Sequence, residues 1–88
     1  MGLDLDYQNI SKLDSNAFAD FPKVVGLSLQ KNQLVKIDKN AFSGLHDLKR
    51  LFLGSNNISD VGAETFDSLL DVNMIDFREN PIQSLSTR

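Results

Sequence analysis

Leu48-Lys49-Arg50-Leu51-Phe52-Leu53-Gly54-Ser55-Asn56-Asn57-Ile58 is the stretch that decides the fold. Leu51 and Leu53 alternate with Phe52, a period of two that turns the leucines inward and the phenylalanine outward from a short strand. The same chemistry returns every 24 residues in both directions. Leu3, Leu27, Leu51 and Ile75 form one column, and Leu5, Leu29, Leu53 and Phe77 the next. Ile10, Leu34, Ile58 and Ile82 follow, then Leu13, Ile37, Val61 and Leu85. Phe18, Phe42 and Phe66 make a further column, Phe21, Leu45 and Leu69 another, and Val24, Leu48 and Val72 the last. Every position in these columns is apolar against a background of 41% hydrophobic residues, so the repeat is internal and real.

The quoted stretch fits the pattern L-x-x-L-x-L-x-x-N-x-L, and Val24 to Leu34 and Val72 to Ile82 fit it with Val, Ile and Phe as apolar variants. The chain therefore resembles the leucine-rich repeat family. Ala-Phe at 17–18 and 41–42, and Thr-Phe at 65–66, are similar to the "typical" 24-residue extracellular subclass. That subclass includes Toll-like receptors, small leucine-rich proteoglycans and insect immune or adhesion proteins. The resemblance implies an α/β fold, a right-handed solenoid of about 3.7 coils. Short parallel strands would line its concave face, and loops or 3-10 turns its convex face. The repeats run at about 1–23, 24–47, 48–71 and a partial 72–88, all in one domain spanning 1–88.

Asn32, Asn56 and Asn80 recur where each strand turns into the core. A buried amide has two donors and an acceptor, enough to bridge backbone groups of its own coil and a neighbour. Gln8 takes that place in the first copy, where its longer side chain interrupts the ladder. The phenylalanine column is expected to form a spine along the convex half. Coils of a solenoid bury their faces only against neighbours, so its ends need caps. Extracellular members usually carry cysteine-stapled caps, and this chain has no cysteine. It is thus expected to be an uncapped internal or C-terminal fragment. Exposed flanks are expected at Leu3, Leu5 and Phe18 and at Ile75, Phe77 and Ile82, with self-association through one end.

Composition excludes several classes. Without cysteine there is no disulfide framework and no cysteine-rich metal site. No apolar run approaches the roughly 18–20 residues needed to span a bilayer, and no basic-then-apolar signal opens the chain. A net charge of −3 argues against nucleic acid, which prefers basic faces. His46 is the single histidine, placed on the convex connection with Ser43 and Asp47 nearby, where a rigid catalytic cleft is not expected. No enzyme, cofactor, metal site or direct membrane contact is expected.

Apolar residues outside the core columns point to where a partner would bind. Tyr7, Val25, Phe52 and Met74 fall on outward positions of the concave sheet, with Phe52 and Met74 on a diagonal within reach of long side chains. Lys49 and Arg50 flank them, and Asp76 is expected directly beside Phe52. An aromatic, a Met and an Arg together have the make-up of an interface hot spot. With the surrounding charges, the candidate partner-binding residues are Tyr7, Lys31, Lys49, Arg50, Phe52, Met74, Asp76 and Arg78. The competing reading is that sheet faces favour aromatics, and single exposed apolar residues are ordinary. Asn9-Ile10-Ser11 and Asn57-Ile58-Ser59 are N-glycosylation sequons, with Asn9 and Asn57 in the same column. The expected function is non-catalytic recognition of a protein ligand or receptor by a secreted protein or ectodomain. The alternative is a structural spacer, or a minimal self-associating solenoid whose ligand site lies elsewhere.

Overall fold

The computed structural model of the protein describes residues 1–82, 84 and 85, with backbone alone at Ala63, Ser84 and Leu85. The inward side chain expected of Leu85, and the end of the last copy at 86–88, lie outside the described residues. Strands β1 (Gly2–Asp4), β2 (Gly26–Ser28), β3 (Arg50–Phe52) and β5 (Met74–Asp76) form a four-stranded parallel sheet in sequence order. Leu3 pairs with Leu27, Leu27 with Leu51, and Leu51 with Ile75, so the spacing read from the sequence is the register of the sheet.

Burial follows the columns. Leu27, Leu29, Leu34, Leu45, Leu48, Leu51, Leu53 and Ile58 are each no more than 1% exposed. Removing each of these side chains from water is worth roughly 1.5–3 kcal/mol. The convex side carries turns and one 3-10 helix, Ala63–Phe66, the only helical element among the described residues. Phe18, Phe42 and Phe66 stack there with successive centroids 6.1 Å apart and interplanar angles of 8° and 16°. That separation of nearly parallel rings is the offset stack aromatic quadrupoles favour.

Four features differ from expectation. Phe18 is 5% exposed and belongs to the core, because its ring lies flat on Phe42. Phe21 is 42% exposed although its column is apolar. Among the described residues it has a neighbouring repeat on one side, whereas Leu45 in the same column lies between two and is 1% exposed. Phe77 leaves the pattern of its leucine column and meets Phe66 edge-on at 5.6 Å and 60°, extending the spine from the strand side. Finally, the column of Leu13, Ile37 and Val61 builds a second parallel ladder where loop was expected. Strand β4 (Asp60–Val61) pairs with β6 (Ser84–Leu85), and bridges join Leu13 to Ile37 and Lys36 to Asp60.

The asparagine ladder sits between these layers. Asn32 Nδ2 donates to the carbonyls of Leu5 and Leu29 at 3.0 Å, and its Oδ1 accepts from the amides of Gln8 and Ile10 at 2.8 and 3.0 Å. Asn56 and Asn80 repeat the arrangement one coil on, each reaching back to the preceding leucine carbonyl at 2.9 Å. Gln8 is exposed and its side chain donates to Asp6 O at 3.1 Å, so among the described residues the ladder begins at Asn32.

Candidate functional site

The sheet presents its alternate side chains outward in two rows. Gly2, Gly26, Arg50 and Met74 stand in register in one, and Asp4, Ser28, Phe52 and Asp76 in the other. Met74 is therefore the direct neighbour of Arg50 and the diagonal neighbour of Phe52, with Asp76 beside Phe52. Met74 is 38% exposed, Phe52 is partly buried and Arg50 is exposed. Lys49 precedes β3 and is also exposed; its backbone carbonyl accepts from Asn73 and Met74 at 2.8 and 3.2 Å and ties β5 to β3.

Tyr7 and Lys31 are not on the strands. They occupy the turns that follow β1 and β2, in left-handed backbone with φ of 59° and 58°, as do Ser55 and Glu79 in the same column. The chain must bend there into the core, so the side chains splay along the rim instead of standing on the sheet. Lys31 Nζ lies 5.8 Å from the centroid of the Tyr7 ring, a cation–π contact across adjacent coils. Val25 likewise falls just before β2 and is half-buried.

Charges on this face are largely committed to one another. Asp6 Oδ1 accepts the Ser28 hydroxyl at 2.6 Å and the Gln30 amide at 2.8 Å. Asp4 Oδ1 accepts the Asp6 amide at 2.9 Å. Arg78 holds Asp76 with Nε 3.1 Å from both carboxylate oxygens and Nη2 2.8 Å from Oδ2. That guanidinium, and then the Arg78 amide at 3.0 Å, keep the Asp76 carboxyl below its ordinary range. Arg78 and Lys31 meet with Asp76 around a shallow depression of about 260 Å³ at the rim. Arg50 differs: its side chain makes no hydrogen bond or ion pair among the described residues.

A second depression, of about 280 Å³, lies on the sheet itself between Asp4, Ser28, Arg50 and Phe52, with Gly2 and Gly26 as its floor. The eight candidate residues omitted this floor, since each glycine looks isolated in the sequence. Their shared column with Arg50 was the available signal: glycine within a strand pattern marks close approach of another group.

The two sequons are not equivalent. Asn9 is exposed in left-handed backbone at φ 58°, and its Oδ1 accepts from Gln33 Nε2 at 2.9 Å. Asn57 is exposed, and its amide donates to Leu34 O at 2.8 Å. His46 is exposed on the convex side. Its backbone amide donates to Gly44 O at 2.9 Å.

Comparison with known proteins supplies the family. The leucine rich repeat family model matches residues 1–58, a span that holds β1 to β3 and the Asn32 and Asn56 rungs. None of the curated proteins matches the chain. With the matched span covering most of its length, and strands in the register of that repeat, the chain belongs to the leucine-rich repeat family.

Proposed function

We propose that the chain is a non-catalytic protein-recognition module that binds through its concave sheet, as part of an extracellular receptor or secreted immune or adhesion protein. Leucine-rich repeats generally mediate protein–protein interaction, which supports the class. The observation that carries the choice of face is the juxtaposition of Arg50, Met74 and Phe52 on β3 and β5. An exposed cation between an aromatic and a methionine supplies apolar area and a directional donor in one patch. Tyr7, Lys31 and Arg78 lie at the rim of the same face, with Asp76 on β5 beside Phe52, and polar contacts there set orientation more than affinity.

Binders selected from random peptides displayed on phage test the face. The expected result is that the leading binders lose at least about tenfold in affinity on the double variant Arg50→Ala/Phe52→Ala while its Tm stays within a few degrees of the parent. Binders indifferent to both substitutions would count against the concave face. The extracellular assignment draws on the two sequons and the subclass pattern. It predicts glycan at Asn57 when the chain is secreted from a eukaryotic host, and mass spectrometry showing a bare Asn57 would oppose it. A second reading, a spacer that self-associates end to end, draws on the 42% exposed Phe21 and the half-buried Leu3, Leu5, Ile75 and Phe77. Sedimentation that is independent of concentration would remove the self-association.

A further inference from the structure

Gly26 has no explanation in the core. It lies inside β2, where glycine costs conformational entropy and packs nothing. Its backbone is not left-handed, and a Cβ placed on it would meet Arg50 Nη2 alone, at 4.0 Å. Gly44 shows the contrast: there φ is +95° and a Cβ would lie 3.3 Å from the Ala19 Cα, so the fold itself demands glycine. What the missing side chain at Gly26 does is leave backbone bare beneath the Arg50 guanidinium. Gly2 continues that bare floor on β1.

The charge over the floor is positive and uncommitted. Arg50 has no partner among the described residues, whereas Arg78 is locked onto Asp76 and Lys31 lies over Tyr7. Two nearby acids are engaged elsewhere. Asp76 is neutralised by Arg78, and Asp6 is held by Ser28 and the Gln30 amide. Asp4 lines the same depression, and its Oδ1 accepts the Asp6 amide. The site thus has one forked donor, a shallow open recess floored by glycine, and Phe52 as an apolar wall.

We propose that the notch over Gly26 receives the carboxylate of an Asp or Glu from an extended segment of a protein partner. Arg50 is its forked donor, and Phe52 packs against the apolar residue next to the acid. This rests on the reading that the concave sheet binds protein, and it names the chemistry of the partner. A guanidinium matches a carboxylate with two parallel hydrogen bonds, which ammonium groups do not reproduce. The bare floor lets the acid come down onto the sheet until both bonds form.

The experiment uses the whole chain and peptides selected on it from a random displayed library, sorted first by sensitivity to Phe52→Ala. Peptides in that class are expected to carry Asp or Glu beside an apolar residue. Replacing the acid by its amide should weaken them at least about tenfold, as should Arg50→Gln. On Arg50→Gln the acid and amide peptides should bind alike, since one interaction is removed by either change. Gly26→Thr, which fills the notch at ordinary contact distance, should abolish binding with Tm unchanged or raised. Phe52-sensitive peptides that lack an acid, or whose amide forms bind equally well, overturn the carboxylate notch and leave concave-face binding standing. A library yielding no Phe52-sensitive peptide overturns both.

Discussion

Asn56 shows what one residue does in this fold. Its Nδ2 serves the carbonyls of Leu29, Leu53 and Gly54, and its Oδ1 takes the Leu34 amide at 3.1 Å. Asn56→Leu would keep the branched shape and strand those groups, at about 1–3 kcal/mol for each that stays buried. The expected loss is about 3 kcal/mol, read as a lower urea midpoint with an unchanged m-value; a loss below about 1 kcal/mol would contradict the ladder's role. That role was legible in the sequence, because the amide recurs in one column and its donors and acceptor have a clear task. The left-handed residues were not legible. Tyr7, Lys31, Ser55 and Glu79 share a column with φ between 55° and 62°, yet none is a glycine or asparagine. Local preference opposes that conformation by about 1–2 kcal/mol, and stacking of the turns on their neighbours overrides it. Tyr7 was expected on the sheet for this reason and stands on its rim.

Among the elements, the phenylalanine spine carries the clearest lesson. Three of its rings were expected from their column, and they stack as expected. The contribution of Phe77 was hidden, since it belongs by spacing to the column of Leu5, Leu29 and Leu53. Phe77→Leu would restore the residue type of that column and, by a consensus argument, should stabilise. The structure predicts the reverse, a loss of about 1 kcal/mol, because the edge-on contact with Phe66 disappears. Chemical denaturation of the variant decides between the two, and a higher midpoint would exclude the spine's extension. The second parallel ladder escaped prediction for a related reason. Strands β4 and β6 have two residues each and the remaining members pair by single bridges, too short for any alternation to show in the sequence.

For the whole molecule, acid response follows from the carboxylates. Asp76 is held below its ordinary range by Arg78, and Asp38 by the Asn40 amide and the Ser15 hydroxyl. A depressed folded-state pKa gives stability that is complete above the unfolded value of 3.8 and is lost as pH falls through the folded value. Thermal stability should therefore hold from neutrality down to about pH 4 and decline below it, and the double variant Asp76→Asn/Asp38→Asn should show a shallower decline. An identical acid slope in parent and variant would reject the assignment. The sequence by itself determined the parallel register, the apolar columns and the asparagine rungs. A one-dimensional stack repeats the same neighbour contacts in every coil, so period alone identifies them. Only the tertiary structure decided the left-handed turns, the Phe77 contact and the bare floor beneath Arg50. Each depends on what the adjacent coil places beside a residue, and Gly2, Gly26 and Arg50 become one surface only when β1, β2 and β3 lie side by side.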